Sequence, residues 1–250
     1  MSQSGLECNI SQPGEASWPV TGSGAVAAGE PTEMAAPAVR PVRAASRRRD
    51  AAPLPCPRWK RAMDVAGAIV GLLIFWPVFL AVPVLIKCAS PGPVFFRQRR
   101  FGAGGRPFIL WKFRTVEINE ASARHRLHVS ELMDSNRPLK KRDYELAIIP
   151  GGRFLRRFGL DELPQLFNVL KGEMSLVGPR PDVVPLRNYQ PWQRRRFEVV
   201  PGITGLWQVC GKNDTTFATM MRLDILYVRR RSFWLDLMIL LRTIPAIVRS

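Results

Sequence analysis

The chain has 250 residues, 46% of them apolar, and carries 37 Lys+Arg against 20 Asp+Glu, a formal net charge of +17. That length allows one or two domains with a real hydrophobic core. Its four cysteines (Cys8, Cys56, Cys88, Cys210) are far apart and its only histidines are His125 and His128, which argues against a zinc site or disulfide scaffold and leaves chemistry to carboxylates, arginines, lysines and a metal ion.

Residues 1–57 are rich in Gly, Ala, Pro and Ser, and their five Arg balance five acidic residues. No apolar period is sustained there, so a disordered tail is expected. Its start lacks the basic-then-apolar pattern of a secretory signal. The whole charge excess therefore falls on residues 58–250. A basic face of that size suits an anionic membrane, a phosphate-rich substrate or nucleic acid, with a solvated surface as the plainer reading.

At residue 58 the composition changes. Arg58, Lys60 and Arg61 precede the uncharged 22-residue run Val65–Ile86, long enough as a helix to cover about 30 Å of hydrocarbon. Pro77 lies in mid-run and Pro83 near its end; each removes a helix hydrogen bond and favours a kink. Basic residues stand on both flanks, with Lys87, Arg97, Arg99 and Arg100 following, whereas a spanning helix shows a one-sided bias. The pattern predicts a re-entrant membrane helix within residues 58–90, broken near Pro77, that enters and leaves by one face. A spanning helix and a buried core helix are the alternatives.

Residues 91–250 are expected to fold as a small mixed α/β domain, with a small sheet and surrounding helices. After the turn Ser90-Pro91-Gly92-Pro93, Val94–Gly102 reads as a strand running into a Gly-rich loop. Phe108–Arg114 reads as the return strand of a hairpin. Residues 117–145 are charged and helical in tendency. Phe233–Val248 is apolar with Asp236, Arg242 and Thr243 as polar breaks. That narrow stripe suits a helix in the membrane interface, or one packed on the domain.

The most informative window is Gly159–Pro181. Asp161 and Glu162 are adjacent and Pro164 follows closely. Proline is tolerated in a helix's first turn, which puts the pair at a helix N-terminus, where free N–H groups and the dipole favour anions. Capping alone would explain such a pair. The surroundings suggest more: Arg153, Arg156 and Arg157 precede it, and Gly178-Pro179-Arg180-Pro181 follows, holding one guanidinium on a stiff turn. Arginines and a divalent cation can neutralise a diphosphate and let a carboxylate approach phosphorus despite like charge.

From about Lys60 to Val248 the chain resembles the bacterial sugar transferases, the monotopic polyprenyl-phosphate phosphoglycosyl transferases that start exopolysaccharide, O-antigen and related glycan assembly. Six collinear blocks carry the resemblance. They are Lys60-Arg61-x-x-Asp64; Gly92-Pro93-Val94-Phe95-Phe96-x-Gln98; Trp111-Lys112-Phe113-Arg114-Thr115; Asp161 through Pro181; Pro201-Gly202-Ile203-Thr204-Gly205-Leu206-Trp207-Gln208-Val209; and Leu223-Asp224-x-x-Tyr227-Val228, leading to Ser232 and Asp236.

The resemblance implies transfer of a sugar 1-phosphate from a UDP-sugar to polyprenyl (undecaprenyl) phosphate, with Mg²⁺, at the cytoplasmic face of the bacterial inner membrane. Asp161 matches the nucleophile. Glu162 matches the second member of the dyad, a metal ligand or a base, so Asp161 and Glu162 are the metal candidates. Lys112, Arg114 and Arg180 match positions expected to hold phosphates. Lys212 stands where Gly-Arg is more usual; it keeps the charge but loses bidentate geometry. Pro77 is the expected break of the membrane helix. A hexose is the expected sugar, membrane lipid the expected partner, and nucleic acid is not expected. Asp224 falls in a matched block without a firm role. Leu146–Gly152 departs from the Asp-Pro-Arg-Ile-Thr of many members, so contacts from that loop are not carried over.

Two other functions stay open. One is a membrane-tethered nucleic-acid binder, although zinc-finger spacing, an RNP-like aromatic block and a basic zipper are all missing. The other is a non-catalytic scaffold of a polysaccharide assembly complex. Trp207 reads as packing or as a stack on uracil or sugar. Cys88 reads as a buried thiol or an acylation site. Arg194-Arg195-Arg196 reads as a solvated or lipid-facing cluster.

Overall fold

The apolar run folds as parts of two helices. A computed structural model describes residues 52–117, 133, 148–210 and 215–248. In it α1 (Arg58–Ile74) and α2 (Trp76–Ala89) meet at Phe75 with a bend of 61°. Pro77 sits in the first turn of α2, where its missing N–H is no loss, while its ring would clash with the Leu73 carbonyl if α1 ran on. α2 continues through Pro83. Among the described residues no single helix is long and apolar enough to cross a membrane, and only the bent pair together has the length and composition.

The two sides of α1 differ. Lys60, Asp64 and Ala68, spaced by four, are buried. Gly67 and Gly71 let the helix close on the body, because a Cβ there would stand 2.5 Å from a Leu176 methyl and 3.1 Å from a Leu166 methyl. Ile69, Val70, Leu73 and Ile74 are exposed, as are Trp76, Leu80, Val84 and Leu85 of α2. Val82 and Ile86 pack instead with Phe113, Ile149 and Leu155.

The root of α1 is held by charge. Lys60 pairs with Asp236 at 2.7 Å and Asp64 at 3.5 Å. Asp64 Oδ1 accepts from the Ser175 hydroxyl at 2.8 Å and the Leu176 N–H at 3.0 Å. Buried ions are costly unless extra hydrogen bonds satisfy them, as here. Arg61 donates to the carbonyls of Val169 and Leu170, both at 2.6 Å. The Lys-Arg-x-x-Asp block is thus an anchor.

β1 (Phe95–Phe101) and β2 (Pro107–Phe113) form the expected antiparallel hairpin, with Phe95 opposite Phe113 and Phe101 opposite Pro107. A separate parallel pair joins β3 (Ser175–Val177) to β4 (Gly202–Thr204). The expected single sheet is therefore two pairs of strands. Gly178, just past β3, lies against Gly202, the first residue of β4, where a Cβ on Gly202 would collide with the Gly178 nitrogen. Around the strands stand α3 (Gly152–Arg157), α4 (Gln165–Lys171), α5 (Leu206–Cys210), α6 (Phe217–Arg230) and α7 (Phe233–Val248). One face of α7 buries Asp236 and Ile239; the other exposes Trp234, Leu241 and Ile244.

Residues 52–57, expected in the tail, reach the body. The Leu54 N–H donates to the Glu198 carbonyl at 2.6 Å, and Arg231 to the Pro55 carbonyl at 3.3 Å. Trp207 packs against two core clusters, which favours its packing role, and Cys88 is exposed. Residues 1–51, most of 117–147 and residues 211–214 lie outside the described residues.

One buried side chain sets the position of β2. Asn168 of α4 is 0% exposed. Its Nδ2 donates to the Ile109 carbonyl at 2.7 Å, and its Oδ1 accepts the Trp111 N–H at 3.2 Å. Asn168→Leu keeps the volume but orphans both backbone groups. It should lower unfolding free energy by about 2–4 kcal/mol in denaturant titrations in detergent; a loss below about 1 kcal/mol would contradict this role.

Candidate active site

Asp161 and Glu162 lie in a single 3₁₀ turn, Leu160–Glu162, between α3 and α4. Gly159 leads into it with φ +67°, a left-handed conformation that glycine adopts without strain. Pro164 takes the N-cap position of α4. The pair therefore sits a turn ahead of the helix and does not cap it, because the proline occupies the place where a cap would stand.

The two carboxylates are unlike. Glu162 Oε1 accepts from Lys112 Nζ and from Arg180 Nη2, both at 2.7 Å. Burial pushes Glu162 up, but the charges and hydrogen bonds of Arg180 and Lys112 outweigh it and hold the carboxyl well below the usual carboxylate range. Asp161 is buried and accepts no hydrogen bond from another side chain among the described residues. Burial is the strongest influence on it and raises its pKa. Lys112 opposes, Glu162 pushes it higher, and Arg156 and Arg180 pull it down; the net direction is upward. One acid is a locked anion and the other a desolvated carboxylate ringed by cations.

Four expected residues meet here from separate elements: Lys112 from β2, Arg180 from the turn after β3, and Asp161 and Glu162 from the 3₁₀ turn. Arg114 does not join them. It is 2% exposed, and its guanidinium donates to the carbonyls of Ser90 and Pro91, both at 2.7 Å. β2 ends at Phe113, so strand alternation does not carry Arg114 to the side of Lys112. It fastens the exit of α2 to the hairpin. Lys212 lies outside the described residues.

Arg196 corrects the reading of the Arg194–Arg196 run. It is 3% exposed and pairs with Asp182 at 3.2 Å and Asp224 at 2.9 Å. The segment Gln193–Glu198 is a 3₁₀ helix, so Gln193 and Arg196 share its inward side. That i, i+3 spacing was the available signal. Arg100, Asp182 and Asn168 are also buried polar residues that sequence reasoning missed; nothing in composition or period marks them.

The donor set at the acidic pair is all oxygen. Among the described residues no group of three or more His, Cys, Asp or Glu side chains could hold a metal. A cavity of about 200 Å³ lies elsewhere, lined by Lys60, Asp64, Ser175 and Tyr227 among others, and it contains none of the four site residues. Both places combine cations with a buried carboxylate, but Asp64 at the cavity is bound by the Ser175 hydroxyl and the Leu176 N–H, whereas Asp161 accepts no side-chain hydrogen bond among the described residues.

The comparisons agree on one family. The family model described as bacterial sugar transferase matches residues 57–250. Exopolysaccharide production protein ExoY of Rhizobium meliloti (strain 1021) is 41% identical over 197 residues, covering 76% of this chain and 86% of that protein. Galactosyl transferase CpsE of Streptococcus agalactiae serotype III (strain NEM316) is 40% identical over 193 residues, covering 76% of this chain but 42% of that protein. A UDP-glucose:undecaprenyl-phosphate glucose-1-phosphate transferase of Caulobacter vibrioides is 38% identical over 200 residues, covering 76% and 70%. With Asp161, Glu162, Lys112 and Arg180 all inside the matched span, the chain belongs to the bacterial sugar transferase family.

Proposed function

We propose that the chain transfers a sugar 1-phosphate from a UDP-sugar to polyprenyl phosphate at the membrane face, through a covalent phosphosugar on Asp161. The observation that carries this reading is the asymmetry of the acidic pair: one Glu162 oxygen takes both Lys112 and Arg180, while Asp161 is desolvated and accepts no side-chain hydrogen bond among the described residues. In the first step an Asp161 oxygen attacks the sugar-bearing phosphorus. The bond from that phosphorus to the bridging oxygen breaks, and UMP leaves with the electron pair. In the second step an oxygen of the acceptor phosphate attacks the same phosphorus, and the bond to Asp161 breaks to restore the carboxylate. An ionised phosphate needs no base to attack, which suits a Glu162 too weakly basic to serve as one.

The donor set fits Mg²⁺, which is usually held by one or two carboxylates together with substrate phosphates. Asp161 and Glu162 would hold it, and it would supply neutralisation of diphosphate charge. Lys112 and Arg180 are positioned to receive phosphate oxygens from the other side. A UDP-hexose is the proposed donor. Three relatives named as glucose-1-phosphate transferases support a hexose, whereas one named for N-acetylgalactosamine widens the panel to test.

The membrane part of the proposal is a re-entrant bent pair. Its support is the bend at Phe75, the apolar residues exposed on the outer side of α1 and α2, and basic residues on both flanks. The acceptor's phosphate sits at headgroup depth, so the site has to be held there.

Four measurements test this reading. Asp161→Asn should lower UMP release by at least about 10³-fold. Mass spectrometry after trapping with labelled donor should find the phosphosugar on Asp161 in the native protein; release without any such adduct would sink the covalent route. Lys112→Met removes the strongest influence pulling the Asp161 pKa down. Since the ionised carboxylate is the nucleophile, the acid limb of the pH profile should move to higher pH, and a limb that stays or moves down would contradict the assignment. Finally, Cys56 precedes α1, Cys88 lies in the last turn of α2, and both are exposed. In single-cysteine variants in sealed vesicles, both should react with an impermeant thiol reagent from the same side; opposite sides would rule out re-entry.

A further inference from the structure

The turn that presents Arg180 is held from behind. Four successive carbonyls are bound: Pro179 by the Gly202 N–H at 2.9 Å, Arg180 by Arg196 Nη2 at 2.7 Å, Pro181 by Arg100 Nη1 at 3.0 Å, and Asp182 by the Phe101 N–H at 3.0 Å. Two of these donors are buried guanidiniums. Pro179 and Pro181 also fix φ on either side of Arg180. These bonds and the two prolines restrain the backbone of the turn, and the Arg180 side chain leaves it toward Glu162.

Arg196 is the centre of this support. Beyond the Arg180 carbonyl, its Nη2 pairs with Asp224 at 2.9 Å and its Nη1 with Asp182 at 3.2 Å. The Tyr189 hydroxyl donates to the same Asp182 oxygen at 2.6 Å. A buried guanidinium between two carboxylates is an expensive way to fill space, and apolar side chains of similar volume often do so at no loss of stability. What apolar residues cannot do is hold a carbonyl and two carboxylates at once with one planar fork.

We propose that Arg196, held by Asp224, is a positioning residue for phosphate transfer: it fixes the Arg180 carbonyl and thereby aims the guanidinium that grips Glu162 and receives the donor diphosphate. This role rests on the reaction proposed above. It acts through Arg180, so its effect has to vanish when the Arg180 side chain is gone. A general structural role has no such dependence.

The test is a double-mutant cycle on the full chain in detergent, with UDP-sugars and polyprenyl phosphate as substrates and UMP release as readout. Arg196→Lys keeps the charge and loses the fork. It should slow release by about 10–100-fold, the scale of a small misplacement at a reacting centre. In an Arg180→Ala background the same change should alter the rate by less than about three-fold. Asp224→Asn should show the same dependence on Arg180, and it decides the matter if Arg196→Lys does not fold by thermal melt. Equal losses in both backgrounds, full activity of Arg196→Lys, or failure of both variants to fold would overturn the positioning role while the native enzyme stays active. A native chain silent with every donor would sink the proposed reaction and this role with it.

Discussion

The contact between Glu162 and its two cations organises the site. Glu162 takes Lys112 from 50 residues earlier in the chain and Arg180 from 18 residues later, both on one oxygen at 2.7 Å. Its neighbour Asp161 takes neither. Two adjacent acids thereby acquire opposite characters, one kept ionised by direct pairing and the other deprived of solvent without a bonded partner. Divergent environments are how proteins assign different chemical roles to like groups. On the proposed reaction this division separates the group that bonds to phosphorus from the group that keeps the cations aligned.

A domain with so little sheet has to satisfy its irregular backbone in another way. Two pairs of strands supply few ladder bonds, yet buried carbonyls still require donors. Side chains provide them. Arg114 binds the turn leaving α2, Asn168 binds the edge of β2, Arg61 binds the end of α4, and Arg100 and Arg196 bind the turn carrying Arg180. Arginine suits this work because its planar fork donates in several directions while keeping its charge. Some of the arginines of residues 58–250 thus serve the backbone and do not belong to a basic surface.

The bent helix pair follows the same economy. Its inner side combines glycines, an alanine and an ion-paired lysine and aspartate, so α1 can lie close to β3 and α4. Its outer side exposes large apolar residues that solvent would not favour. On the proposed membrane arrangement those residues meet lipid, and the ionic root of α1 keeps the acidic pair at a set depth below it. The helix break at Phe75 with Pro77 in the next turn has a local steric cause. On the proposed arrangement, the depth of the site depends on long-range packing.

Sequence alone determined the local and the collinear. The hairpin, the broken apolar run, the acidic pair and the family resemblance were legible because each rests on neighbouring residues: alternation, a proline, adjacent carboxylates, ordered blocks. Residue type also nominated Lys112 and Arg180. It equally nominated Arg114, and it left Arg196 among surface charges, because a guanidinium reads the same whether it faces solvent, a carbonyl or a phosphate. Only the tertiary structure decided between these uses. Which partner a cation meets is set by where strands end and turns close, by contacts between segments far apart in the chain, and no local pattern encodes those meetings.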